Sequence, residues 1–229
     1  MNPRRVVILT RRFWPLMGDA ESALVELATG LADAHMPTTV VTPCWQRSWP
    51  VEFMFENVRV VRLPRPAPYA WGHWNNVRRL TKWLRAQSPL FDVALAPSSE
   101  EVAGSVITAL RRLGIPLIAI GAPHDGETRF HAKQQVAHAI VVGFDDEAIL
   151  AEQAGYLPEQ IHCIAPGVDV RQNREQINRS AARVALGKAL GDHSLGTYSP
   201  LVVCFSRLDN SPGLQMLING WRTIEEQRT

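Results

Sequence analysis

Chemistry that a protein could do with anionic ligands concentrates in one short stretch, RRFWPLMGDAESALVEL, in which an apolar run ends in Arg11 and Arg12 and gives way to Gly18 and then to a helical pattern. A glycine at that junction lets the backbone approach a ligand closely. The helix that follows offers free N–H groups and a positive dipole end to an anion. The same residues also suit a tight strand-to-helix turn with Asp19 as N-cap, and the two arginines suit either charge compensation or plain solvation. His124, in IAIGAPHDGETRFH, has the right chemistry for a proton or hydrogen-bond partner near neutral pH; beside Asp125 it equally suits an Asx-capped turn. Trp71 and Trp74, in WGHW, could stack on a sugar ring and bond a hydroxyl through the indole N–H, or cover a sheet edge.

These residues need elements to hold them. Apolar runs of strand length recur at residues 6–10, 38–42, 58–63, 92–96, 115–120, 137–142, 161–164 and 201–205, and most are β-branched and near-continuous, as in strands covered on both faces. Segments of helical period lie between them at residues 19–34, 75–87, 99–113 and 145–154. Strand alternating with helix predicts an α/β fold, a Rossmann-like and mainly parallel sheet with helices on both faces. Ligand loops then lie beyond the carboxyl ends of the strands. The WGHW stretch is expected in the loop before the helix at Asn75. That helix sets Arg78, Arg79, Lys82 and Arg85 opposite an apolar stripe, a face suited to an anionic membrane surface or simply to water.

The 229 residues suffice for one large domain, or for one domain and the start of another. Residues 1–170 are expected to form the first domain, 171–199 a connecting segment, and 200–229 a fresh strand-helix unit with Pro212 in the first turn of its helix. A net charge of +2 gives no footprint for nucleic acid. Cys44, Cys163 and Cys204 are odd in number and lie in apolar runs, so buried thiols in a reducing compartment are expected. No pair of them has metal-ligand spacing, and the N-terminal apolar run is too short for a signal peptide or a membrane span.

Three segments carry a resemblance in the right order over nearly the whole chain. Phe13-x-Pro15-x-x-Gly18-Asp19-x-Glu21 resembles the F-x-P-x-x-G-G-x-E loop of the retaining family 4 glycosyltransferases. AHAIVVGFDDEAILAEQAGYLPEQIHCIAPGVDV resembles the segment that closes their first domain, and SRLDNSPGLQMLINGW resembles the first strand, loop and helix of their second. The resemblance implies the N-terminal, acceptor-side domain of the two-domain GT-B fold, with only the opening of the donor-binding domain. The parent activity it implies is transfer of a sugar from a nucleotide-sugar to a hydroxyl acceptor, itself a sugar or lipid-linked, in the making of carbohydrates such as those of the cell envelope. No tightly held metal or other cofactor is expected.

By the same resemblance Gly18 and Asp19 face the donor diphosphate, Arg207, with its planar donor fork, binds it, and His124 lies two residues beyond the position, Ala122, where the family often has a His near the reacting sugar. Asp19 replaces the second glycine of the loop and Pro212 replaces a lysine that would partner Arg207. The expectation is therefore a chain inactive by itself, cytoplasmic and able to sit against the inner face of the membrane, with self-association through residues 201–224 as one way to cover their apolar faces. Two rival readings are a non-catalytic binding or regulatory module derived from such an enzyme, and a truncated GT-B nucleotide-sugar epimerase.

Overall fold

The computed structural model describes residues 4–16, 18–64, 70–87, 90–98, 104–122, 137–167, 178–191, 201–204 and 212–226. It divides into two compact units, Met1–Gly167 and Val168–Thr229.

The first unit is built on an eight-stranded sheet: β1 (Val6–Leu9), β2 (Thr38–Pro43), β3 (Glu52–Phe55), β4 (Val58–Leu63), β5 (Val93–Pro97), β6 (Leu117–Ile120), β7 (Ala139–Val142) and β8 (Ile161–Cys163). Their order is β3-β4-β2-β1-β5-β6-β7-β8, and all neighbours are parallel except β3 with β4. The first seven apolar runs of the sequence thus form strands. β3 was not among them: EFMF reads as a strand only through its alternation, with Phe53 and Phe55 half-buried and Glu52 and Met54 exposed. It joins β4 through Glu56 and Asn57, with Glu56 in the left-handed region at φ 50°.

Alternation along β1 explains the two cores. Val6 and Ile8 face α1 (Asp19–Asp33) and meet its Leu24 and Ala28 together with Val40, Val58 and Val60. Val7 and Leu9 belong to the opposite core, with Leu84 of α2 (Ala70–Ala86), Val106, Ile107 and Leu110 of α3 (Gly104–Arg112) and Ala151 of α4 (Asp145–Gln153). The sheet is therefore covered on both faces, which is why its strands read as continuous apolar runs. α1 stops in a Schellman arrangement, in which Met36 N–H donates to the Leu31 carbonyl and His35 N–H to that of Ala32, with His35 at φ 60°. At the amino ends of the strands Arg5 staples β1 to β5: its N–H donates to Asp92 Oδ2 at 2.7 Å, its Nε to the same oxygen at 3.3 Å, and its Nη2 to Oδ1 at 3.3 Å.

The second unit contains α5 (Arg179–Leu190) and α6 (Pro212–Glu226). Asn178 caps α5 by accepting the Ser180 N–H, and Gly191 ends it at φ 68°. Pro212 does open α6. Residues 201–204 are exposed and not in a strand, contrary to the expectation for 201–205; among the described residues of this unit no strand stands beside them to complete a hydrogen-bond ladder, and an apolar run alone does not make one. The thiols differ from expectation as well. Cys44 is half-buried, and Cys163 and Cys204 are exposed, because the runs that hold the latter two lie at a sheet edge and outside any sheet.

Candidate functional site

The strand order reverses at β1, which pairs with β2 on one side and β5 on the other. In an open parallel sheet this switch point is where ligands bind, beyond the carboxyl ends of the strands. The loop leaving β1 is tied down there at several points. Thr10 N–H donates to the Val41 carbonyl at 3.1 Å, and its hydroxyl donates to the Arg12 carbonyl at 3.0 Å. The indole N–H of Trp45 donates to the Arg11 carbonyl at 2.7 Å. Phe13 is buried, edge-on to Phe55 with ring centroids 6.1 Å apart. Trp14, 40% exposed, leans on Phe53 and Phe55 at 5.9 and 5.4 Å and precedes Pro15 through a cis peptide.

Gly18 is exposed and is the residue before the helix; α1 begins at Asp19. The expectation of Asp19 as cap is thus replaced by Gly18 as cap, with no side chain bonded to the first-turn amides. Its φ of −167° is ordinary extended backbone, so the need for glycine there is spatial. A Cβ would run into the Glu21 carboxylate, which folds back over the turn. Glu21 in turn accepts Arg12 Nε at 3.1 Å. Residues missed as a pair by sequence reasoning, Arg12 and Glu21, thereby set the charge of the loop; the signal was a Glu in the first turn of a helix, where carboxylates fold back on the free amides.

A second missed residue is Arg62, the largest fully buried side chain of the described chain. Its guanidinium carbon lies 4.8 Å from the Trp49 ring centroid and 4.4 Å from that of Phe53. Nη2 donates to the Trp14 carbonyl at 3.0 Å and Nη1 to the Pro50 carbonyl at 3.2 Å. Burial lowers its pKa from the usual range, with a smaller opposing effect from Cys44; an arginine remains charged through such a shift.

At the ends of β5 and β6, Ser98 N–H donates to the Ile120 carbonyl at 2.8 Å, and its hydroxyl lies between the carbonyls of Gly121 and Ala122 at 2.6 and 2.7 Å. Gly121, at φ 88°, makes the turn that brings those carbonyls together. The loop after β7 is closed by its own acid: Glu147 Oε2 accepts the Gly143 N–H at 2.6 Å, and the Pro166 ring would meet a Cβ on Gly143 at 3.1 Å. Asp145, Asp146 and Glu147 fill the first turn of α4, so that helix start repels anions. Desolvation, with the nearby charges of Asp145 and Glu147, pushes the Cys163 thiol up and keeps it protonated.

His124 and Arg207 lie outside the described residues, as does the Asp19 side chain. Trp71 and Trp74 fall within α2, which starts at Ala70, and not in a loop before it; the helix begins five residues ahead of Asn75, where the apolar stripe gives no sign of it. Their side chains are outside the described set. Among the described residues no group of three His, Cys, Asp or Glu side chains could hold a metal ion, and no helix is long and apolar enough to cross a membrane.

A doubly wound, mostly parallel sheet that reverses its strand order at β1 is the Rossmann-like half of a GT-B fold, and solved glycosyltransferases share it. A glycosyltransferase from Rickettsia africae ESF-5 superposes with a TM-score of 0.66 at 10% identity, over 97% of this chain and 58% of that one. The catalytic domain of starch synthase IV from Arabidopsis thaliana, bound to ADP and acarbose, gives 0.62 at 12% identity over 97% and 66%. Anabaena Alr3699/HepE in complex with UDP and glucose gives 0.57 at 14% over 82% and 50%. The chain thus spans between half and two thirds of the length of these proteins. Residues 20–172 match the family model for Glycosyltransferase Family 4, and the chain belongs to that family. No curated protein matches the sequence.

Proposed function

We propose that this glycosyltransferase module is the acceptor-side half of an enzyme that moves a sugar from a nucleotide-sugar to a hydroxyl acceptor. The observation that carries the reading is the loop between β1 and α1, which stands at the switch point of a family 4 fold and ends in an exposed, uncapped helix start at Gly18. Backbone N–H groups and the dipole there would meet the donor diphosphate. The departing diphosphate would be stabilised by such fixed donors and by cations, with no bound metal; Arg207 is the residue we assign to it from the second unit, and His124 the one nearest the reacting sugar. Asp19 weakens this loop toward anions by like-charge repulsion. The donor is a nucleoside diphosphate sugar, in keeping with the UDP and UDP-glucose bound by HepE.

The acceptor side is open toward a sugar or a lipid-linked sugar. On α2, Arg78, Arg79, Lys82 and Arg85 are exposed while Leu84 is buried and Leu80 and Trp83 are half-buried, so the basic face points away from the core. That face supports peripheral contact with an anionic membrane. Saturation-transfer NMR with UDP, UDP-glucose and GDP-mannose tests the donor class. The reading expects a response to at least one of them, competed by inorganic pyrophosphate; silence with all three at millimolar concentration would overturn it.

A further inference from the structure

Arg62 is an expensive residue to bury. Among the described residues two of its side-chain bonds reach acceptors and its Nε has no partner, and the hydroxyl of Thr42, its register partner on β2, has none there either. A buried cation with an incomplete hydrogen-bond set regains little of the cost of taking its charge out of water. What the guanidinium does have is position. It is gripped between two aromatic rings, and its two donors reach carbonyls from separate loops, one following β1 and one preceding β3. Trp14 stands four residues before Gly18, on the path into α1.

We propose that Arg62 is a positioning residue for the ligand loop: clamped by Trp49 and Phe53, it fixes the Trp14 carbonyl and with it the course of the chain from β1 to the start of α1. Its functional half rests on the reading of that loop as the nucleotide-sugar loop; its mechanical half does not. A planar fork reaches two divergent carbonyls at once, whereas an ammonium on a flexible stem does not hold both in one geometry. The residue therefore acts on ligand through the loop, without touching it.

The test uses the whole chain with Arg62→Met and Arg62→Lys. Trypsin cuts after Arg11 and Arg12, and the buried Phe13 protects those bonds only while the loop is seated. Mass-resolved cleavage there is compared with cleavage at other sites and with the urea midpoint, and UDP response is read on the same samples. We expect Arg62→Met to keep its urea midpoint while the loop bonds are cut about tenfold faster, Arg62→Lys to fall between, and the UDP response to drop in step. A lowered midpoint with loop cleavage unchanged relative to other sites overturns the proposal, as does failure of both variants to fold, since either makes Arg62 a core residue. Faster loop cleavage with UDP response intact removes its functional half. Absence of any UDP response in the unmodified chain removes the loop reading and leaves the mechanical result standing.

Discussion

Asp19 and Glu21 place two carboxyl groups in the first turn of the helix whose amides would meet a diphosphate, and Glu21 has a cation, Arg12, at 3.1 Å. Removing the charge nearest the helix start should therefore help an anion more than it harms the helix. Asp19→Gly is expected to tighten UDP binding by about threefold to tenfold; a dissociation constant unchanged in a fluorescence or NMR titration counts against the charge argument. At this scale the sequence was informative where a residue type is rare for its setting. Gly18 before a helix could be read directly. Arg62 could not: alternation sets it on the inner face with Val58 and Val60, but the sequence shows nothing there to receive a cation, and only the fold brings the rings of Trp49 and Phe53 to it.

Helix α1 follows the candidate loop and ends on a conformation that suits glycine better than histidine. His35 at φ 60° sits at the Schellman position, where a side chain costs roughly 1 kcal/mol. His35→Gly is expected to raise stability by up to about 1 kcal/mol in urea denaturation, and a loss would mean that the His35 side chain has an unrecognised role. The staple between β1 and β5 gives a pH-dependent counterpart. Bonds from the Arg5 side chain and then its backbone N–H lower the Asp92 pKa. The sign follows: this contribution is complete above the carboxyl's unfolded pKa and is lost as pH falls through its lower folded value. The stability gap between the native chain and Asp92→Asn should thus close on acidification below about pH 4. Because the pair is well exposed, the gap at neutral pH should be under about 1 kcal/mol. Among elements, long apolar runs and helical stripes were legible. β3 was not, since an edge strand of four residues needs β4 beside it to exist.

Across the whole molecule, alternation of strand and helix made the doubly wound fold readable, and three ordered motifs made the family readable, whereas the second unit's apolar residues carry no signal of what they pack on. Leu217, Ile218 and Trp221 of α6 are 41–46% exposed. The basic face of α2 leads to a test at the same scale. Vesicles containing anionic lipid should retain the protein at low salt and release it at high salt, and Arg78→Gln, Arg79→Gln and Lys82→Gln together should abolish retention. Equal retention on neutral vesicles would leave that face to solvent. The central claim is that the chain from β1 into α1 is the nucleotide-sugar loop of a module that supplies one side of a cleft. An amide-resolved NMR titration of the 229-residue polypeptide with UDP-glucose measures this directly. The account predicts that the largest shifts fall on residues 12–22 and that saturation is weak, with Kd about 1 mM or higher. Micromolar saturation, or a response that leaves those amides unmoved, would contradict it.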